Sequence, residues 1–383
     1  MKKVAILFRN FGPYHIARIK AAASRGRELG WEVTGIESAS AVETYLWKVG
    51  DKDAPFNWIT LFKGRTWENV PQGEMERAMT ARLNELRPDA LIICSYFMPE
   101  MLAAYRWAVK NRAVAVLMSE SNYHDSKRFW PKEAFKRWIC RNFDSALVGG
   151  NPQRDYIESL GIPRDRIFLG YDAVDNDFFA RQSDIARTDA EANRKRLSLP
   201  EKYFISVSRF VPVKNVPGLI TEYAEYRRMA GDKAWDLVVC GGGSSEGEIR
   251  ETIKRLNVQG VHLPGFTQLN EIGVYYGLAG CFVLASIIEP WGLVVNEAMA
   301  SGLPILVTSV AGSSFDLVKD GENGWRFDPR KPSELAGLML KISSMSTAEL
   351  AGMSEASRRL IAPWGAERFA SGVFDAIACG KRK

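Results

Sequence analysis

Two glutamates, Glu289 and Glu297, are separated by seven residues in the stretch Glu289-Pro290-Trp291-Gly292-Leu293-Val294-Val295-Asn296-Glu297-Ala298-Met299-Ala300-Ser301-Gly302-Leu303-Pro304. Arg209 and Lys214 follow a separate apolar run. A carboxylate accepts two hydrogen bonds from a vicinal diol, so these glutamates suit hydroxyl groups and not an anion. An arginine fork beside a lysine point charge suits a diphosphate. Cations placed there stabilise the negative charge that grows on a departing diphosphate, and so favour the transition state. Diol-binding carboxylates beside phosphate-binding cations describe a site for a sugar nucleotide.

The surrounding pattern says how these groups are held. An apolar run, residues 281–285, precedes Glu289. After Gly292 the period becomes helical through Leu293, Asn296, Glu297 and Ala300, and Gly302 and Pro304 stop the helix before a run at 305–308. Glu289 is therefore expected in a loop above a strand end, and Glu297 on the first turns of the next helix. Ligands bind in that crevice of an open α/β sheet, and a helix amino terminus there attracts phosphate. Arg209 and Lys214 follow the run 203–207 in the same way. Gly241-Gly242-Gly243 follows another run, 237–240. Glycine there permits close approach to a phosphate or sugar, and serves a tight turn equally well. The triplet is not a dinucleotide fingerprint, because the third glycine would have to stand at Glu246.

The glutamate stretch resembles the Glu-x7-Glu motif of family 4 retaining glycosyltransferases. Ser208-Arg209-Phe210-Val211-Pro212-Val213-Lys214-Asn215 resembles that family's basic motif, and Gly170-Tyr171-Asp172-Ala173-Val174-Asp175-Asn176-Asp177-Phe178-Phe179 resembles the segment that ends its first domain. The motifs stand in the family's order, and the similarity runs over about residues 149–329. The first 110 residues match mainly in their strand–helix rhythm. The resemblance implies the GT-B fold: two Rossmann-like, doubly wound α/β domains facing each other across a deep cleft. It implies an acceptor-binding domain at 1–178, with a helix at about 364–383 packing back on it, and a donor-binding domain at 179–363.

It also implies roles. Arg209 and Lys214 reach the donor diphosphate, Glu297 holds the ribose diol, and Glu289 meets hydroxyls of the donor sugar. The backbone of Trp291, Gly292, Leu293 and Val294 faces sugar and phosphate. Gly241 and Gly242 line the donor site, and Gly265 and Phe266 approach the base. On the acceptor side stand Gly12 and His15, although the glycine pair common in that loop is missing here. A structural histidine is the slightly favoured reading of His15. Past the run 113–118, within Ser119-Glu120-Ser121-Asn122-Tyr123-His124-Asp125, Glu120 and His124 are the favoured residues for orienting the acceptor or the donor sugar. No enzyme nucleophile is expected. The implied activity is retaining transfer of a sugar from a nucleotide diphosphate sugar, with a uridine diphosphate sugar expected, to a hydroxyl acceptor in surface polysaccharide or glycolipid synthesis. A sugar phosphorylase, an epimerase and a non-catalytic sugar-nucleotide-binding protein of a polysaccharide assembly system are the alternatives.

No metal or cofactor is expected. Asp175-Asn176-Asp177 has the form of a metal-binding Asp-x-Asp, but such residues also cap helices before an apolar pair like Phe178-Phe179. With three histidines and five scattered cysteines, neither a histidine-rich centre nor zinc-ligand spacing is available. The cysteines read as small buried hydrophobes of a reducing compartment.

A chain of 383 residues is long for one core, so two domains are expected. Apolar content of 46% and charged content of 25% are those of a globular protein. The net charge of +6 fits an anionic partner without naming it. Nucleic acid has no support beyond that charge. Strand candidates are 4–8, 33–36, 58–62, 90–94, 113–118 and 146–148 in the first half, then 203–207, 237–240, 260–263, 281–285 and 305–308. Residues 180–199 are polar and read as an interdomain stretch with some helix. The run at 4–8 is too short for a signal peptide, and no run approaches the ~20 apolar residues of a membrane span. A cytoplasmic protein is expected. Basic and aromatic residues interleave from Lys127 to Arg141, which fits either a helix lying on an anionic membrane or one with its rings packed inward.

Overall fold

Short runs of branched apolar residues form strands here because segments of helical period separate them and cover both faces of each sheet. The computed structural model describes residues 1–43, 54–126 and 128–380. The chain divides into two compact units, Met1–Asp175 with Trp364–Lys383, and Asn176–Pro363.

In the first unit the strands are β1 (Lys2–Phe8), β2 (Trp31–Ala41), β3 (Asn57–Thr66), β4 (Ala90–Ile93), β5 (Val114–Ser119), β6 (Ser145–Val148) and β7 (Ile167–Leu169). Among the described residues they pair in parallel in the order β3-β2-β1-β4-β5-β6-β7. The direction of winding reverses between β1 and β4. Alternate residues feed two cores. Leu7, Leu91 and Leu117 meet Met79, Trp107 and Tyr156 on one face, while Ile6, Ile92 and Val116 meet Ile19, Phe369 and Val373 on the other. The last two belong to the helix Ala366–Cys379, which packs beside the helix Pro13–Glu28.

In the second unit the strands are β8 (Tyr203–Val207), β9 (Asp236–Cys240), β10 (Val261–Gly265), β11 (Cys281–Leu284), β12 (Ile305–Thr308) and β13 (Gly324–Phe327). Their order is β10-β9-β8-β11-β12-β13, again parallel among the described residues. Here the switch point lies between β8 and β11.

Two strands were not expected. β7 is an apolar run of only three residues, and β13 is interrupted by Gly324 and Arg326, so neither stands out as a strand. The stretch 180–199 is a correction. Read as interdomain with some helix, it lies inside the second unit and is almost wholly helical, in Asn176–Thr188 and Ala190–Leu197. Phe179, Ser183 and Ala186 form a narrow buried stripe on the first. The helix Leu269–Leu278 can approach that stripe because Gly273 and Gly277 lack side chains. A Cβ at Gly277 would stand 2.7 Å from the Ser183 carbonyl oxygen. The packing is thus set by glycines ninety residues downstream, which local composition cannot reveal.

Cys140, Cys240 and Cys281 are buried, Cys94 and Cys379 half-buried, and all five are free thiols. Burial pushes the Cys240 thiol up to about 12, so it stays protonated. Among the described residues no helix is long and apolar enough to cross a membrane.

Candidate functional site

At the β8/β11 switch point of the second unit, two loops are tied to each other and to a third. The loop after β8 is laced to the glycine triplet after β9. Ser208 N donates to Cys240 O at 3.1 Å, Phe210 N to Gly242 O at 2.8 Å, and Ser245 N to Phe210 O at 2.8 Å. So close an approach explains Gly241. Its φ is +157°, and a Cβ there would lie 1.9 Å from the Ser208 carbonyl oxygen. The Phe210 ring is fully buried and anchors the loop, while Arg209 beside it is exposed. The triplet's glycines therefore serve the loop that carries Arg209, whatever ligand they also meet.

Further along, Pro212–Lys214 forms one short 3-10 turn, ended by Asn215 in the left-handed region. The Asn215 side-chain amide donates to Ala285 O at 3.1 Å, and Ile287 N donates to Val213 O at 2.9 Å. These bonds fasten the basic loop to the loop after β11 and bring Lys214 Nζ onto Glu289 Oε2 in an ion pair. Ser286 Oγ donates to the same carboxylate oxygen at 3.0 Å. Glu289 and Lys214 are both largely withdrawn from water, which strengthens their attraction and raises the cost of separating them.

Beyond Glu289 the chain turns into a helix on a buried indole. Trp291 Nε1 donates to Asn296 Oδ1 at 2.9 Å, and Trp291 O accepts from Ser313 N and Oγ at 3.1 and 2.7 Å. Gly292 has φ +94° and starts the helix Leu293–Ala300. The amides of Leu293 and Val294 lie in its first turn, where a helix offers them no acceptor of its own. Such donors favour an anion. Glu297, on the second turn, is buried and accepts from Tyr276 OH at 2.8 Å. Gly265 O accepts from Gly241 N at 2.9 Å, and the exposed Phe266 lies near Gly242, its Cβ 4.0 Å from where a side chain there would begin.

The other residues of interest lie in the first unit. Gly12 follows β1, and its N–H donates to His15 Nδ1 at 2.9 Å. The His15 ring lies 4.3 Å from that of Phe8. Burial, then the charges of Arg18 and Arg9, push its pKa down to about 3, so the imidazole is neutral and its Nδ1 lone pair is committed to its own loop. After β5, Glu120 is exposed, and so is His124, whose backbone N–H donates to Asn122 Oδ1 at 2.7 Å. Asp125 is engaged in structure: one oxygen takes Asn122 N at 3.1 Å and the other Arg128 Nη2 at 2.6 Å. In Asp175-Asn176-Asp177, the Asn176 amide donates to Ile361 O at 3.0 Å at the start of a helix. Among the described residues no group of three or more histidine, cysteine or acidic side chains is placed to hold a metal ion.

Within the second unit, Arg209, Lys214 and Glu289 thus belong to loops at the carboxyl ends of the adjacent strands β8 and β11, and Gly292 and Glu297 to the helix that follows the second loop. Ser286 and Tyr276, the partners of the two glutamates, were not singled out in the sequence. Ser286 stands three residues before Glu289, a spacing that reads as a turn. Tyr276 lies on a different helix and carries no local signal.

Residues 188–361 match the family described as Glycosyl transferases group 1. A sucrose synthase of Acidithiobacillus caldus is 26% identical over 71% of this chain and 43% of its own length. Mannosylfructose-phosphate synthase of Agrobacterium fabrum is 29% identical over 53% of this chain and 46% of its own. The chain spans less than half the length of these curated relatives. Among solved structures, a glycosyltransferase of Rickettsia africae superposes with a TM-score of 0.75 at 14% identity, over 98% of this chain and 97% of that one. HepE of Anabaena, solved in complex with UDP-glucose, gives a TM-score of 0.74 at 15% identity over 99% and 100%. The fold is GT-B: two parallel sheets with flanking helices, shared along the whole length of these neighbours.

Proposed function

We propose that the chain is a retaining, family 4 type glycosyltransferase that takes a sugar from a nucleotide diphosphate sugar. The observation that carries this reading is the meeting of Lys214 with Glu289 at a switch point, just before the start of the helix that carries the buried Glu297. A diphosphate has cations and helix amides to meet, and two sets of vicinal hydroxyls have carboxylates. Glu297, oriented by Tyr276, is assigned to the ribose diol, Glu289 to the donor sugar, and Arg209 and Lys214 to the diphosphate. Phe266 and Gly265 are assigned to the base. In the reaction the bond from C1 to the diphosphate oxygen breaks, the acceptor oxygen bonds to C1, and the acceptor proton passes to the departing phosphate. The cations stabilise that departure, and no metal is invoked. The first unit is assigned the acceptor, with Glu120 and His124 as the groups that orient it. A uridine diphosphate sugar is the favoured donor, in keeping with the neighbour solved with UDP-glucose. Surface polysaccharide or glycolipid synthesis is the favoured setting.

A calorimetric and thermal-shift screen of nucleotides and nucleotide sugars tests the reading, because a ligand of the native state raises stability by mass action. Stabilisation by a uridine diphosphate sugar, unchanged by chelator and lost in Arg209→Ala and Glu297→Ala, is the expected result. A response to inorganic phosphate with none to any nucleotide would replace it with the phosphorylase reading. Dependence on manganese would remove the metal-independent mechanism. The anomeric configuration of the product then decides retention.

A further inference from the structure

The helix Trp130–Cys140 of the first unit faces the wrong way for an ordinary amphipathic helix. Its inward side is polar. Tyr156 OH accepts from Arg128 Nη1 at 2.7 Å and Lys136 Nζ at 2.9 Å, and donates to Glu133 Oε2 at 2.8 Å. Lys136 Nζ also reaches Glu133 Oε1 at 2.8 Å, and the Arg128 guanidinium lies 4.1 Å above the Tyr156 ring. Only at its end does the helix enter the core, through Ile139 and Cys140. The large rings are outside. Trp130 is 79% exposed, Phe129 and Trp138 59%, and Phe135 58%. Phe135 and Trp138 stack on each other with centroids 6.1 Å apart. Lys132, Arg137 and Arg141 are exposed among these rings, and among the described residues none of the three is in an ion pair. The helix's carboxylate, Glu133, is turned inward. Lys127, which begins the basic-aromatic stretch, lies outside the described residues.

Hydrophobic packing cannot account for this arrangement, since it leaves four rings in water and spends the helix's hydrogen-bonding groups on its buried side. A surface of tryptophan and phenylalanine ringed by unpaired cations matches one environment well. In the interfacial layer of an anionic bilayer the rings leave water and the cations meet phosphates. We propose that this face docks on an anionic lipid bilayer. The polar network beneath is the rigid mount that holds the rings outward. The same network fastens the loop carrying His124, since Arg128 donates to the Asn122 carbonyl and Asn122 caps the His124 amide. Docking therefore sets that loop beside the membrane surface.

Vesicle flotation with the full chain, without nucleotide, tests this independently of the donor-site reading. Wild type is expected to float with vesicles of three parts phosphatidylcholine to one part phosphatidylglycerol, and to stay behind with phosphatidylcholine alone. Each basic side chain near such a surface contributes about fivefold in partitioning, so Lys132→Gln/Arg137→Gln/Arg141→Gln is expected to lose roughly a hundredfold. Trp130→Ser/Trp138→Ser is expected to lose at least as clearly, with both variants keeping the wild-type circular dichroism spectrum and the wild-type thermal unfolding profile. Raising the salt should weaken wild-type binding. Equal flotation with and without phosphatidylglycerol, no flotation at all, or variants that bind like wild type would overturn the proposal. So would a concentration-dependent dimer, abolished by Trp130→Ser/Trp138→Ser, in a chain that ignores vesicles: the face would then be a contact between copies.

Discussion

Replacing Lys214 by methionine tests the ion pair at the centre of the site. The lysine side chain is 15% exposed and that of Glu289 6%. Breaking a fully buried pair by removing one partner costs about 3–5 kcal/mol, because the other charge is left uncompensated. Here Ser286 still donates to Glu289, and the lysine stands at the edge of the site, so about 2–3 kcal/mol is expected for Lys214→Met. Glu289→Gln alone is expected to cost only about 1 kcal/mol, since the ammonium can turn toward water. The double variant leaves no stranded charge and should recover a coupling energy of roughly 1–2 kcal/mol. A chain of two units need not unfold in one step, so a single global midpoint is the wrong readout. Amide hydrogen exchange in the helix Leu293–Ala300 reports the local free energy directly. If the two substitutions add within ~0.3 kcal/mol, the charges do not meet in solution and the reasoning fails.

Gly241→Ala should push the Ser208–Phe210 loop outward by more than an ångström, because its Cβ would begin 1.9 Å from the Ser208 oxygen. Calorimetry should show affinity for a uridine diphosphate sugar lowered by about tenfold or more, in step with about 1–3 kcal/mol of strain; unchanged affinity would disconnect this loop from the ligand. Tyr276→Phe leaves the buried Glu297 without that donor, and is expected to weaken nucleoside binding while sparing the affinity for inorganic diphosphate. Equal losses for both ligands would refute the ribose assignment. His15 is neutral when folded, so its contribution is complete above pH 6.5, its unfolded value, and is lost as pH falls toward about 3. First-unit stability should therefore fall by roughly 1.4 kcal/mol per pH unit below 6.5 on account of this residue. Urea titrations between pH 7 and 4.5 should show a shallower dependence in His15→Asn, and identical slopes would show that the ring is not held neutral.

What was legible follows the range of the interaction that fixes it. β12 and the helix start at Gly292 depend on neighbours in sequence, and the apolar run, glycine and proline announce them. The Glu-x7-Glu spacing crosses one loop and one helix start, so it too can be read locally. The Lys214–Glu289 pair joins residues 75 apart, and Tyr276 reaches Glu297 from another helix. No local pattern encodes either contact. Gly241 and Gly243 were visible as glycines, but their reason, the backbone of Ser208–Phe210 against them, appears only in the folded unit. The outward rings of the helix Trp130–Cys140 went undecided for a related cause. Its inner partners, above all Tyr156, are polar, and periodicity alone assigns the apolar side to the core.

The pairing of Lys214 with Glu289 also discriminates between ligands. The cation assigned above to a phosphate and the carboxylate assigned to hydroxyls satisfy each other in this structure. An incoming anion must exchange one partner for another, so its Coulombic gain is only a difference. Inorganic phosphate would take Lys214 and leave Glu289, 6% exposed, with a hydroxyl from Ser286 and little else. Stranding a buried acceptor in this way costs about 1–3 kcal/mol, and more when it is charged. A nucleotide sugar brings its own remedy, because its diphosphate takes the lysine while its sugar hydroxyls take the glutamate. The exchange then balances on both sides, and the donors of the helix start at Gly292 remain as a net gain. On the assigned roles, this asymmetry favours a sugar nucleotide over free phosphate alone at the same set of residues.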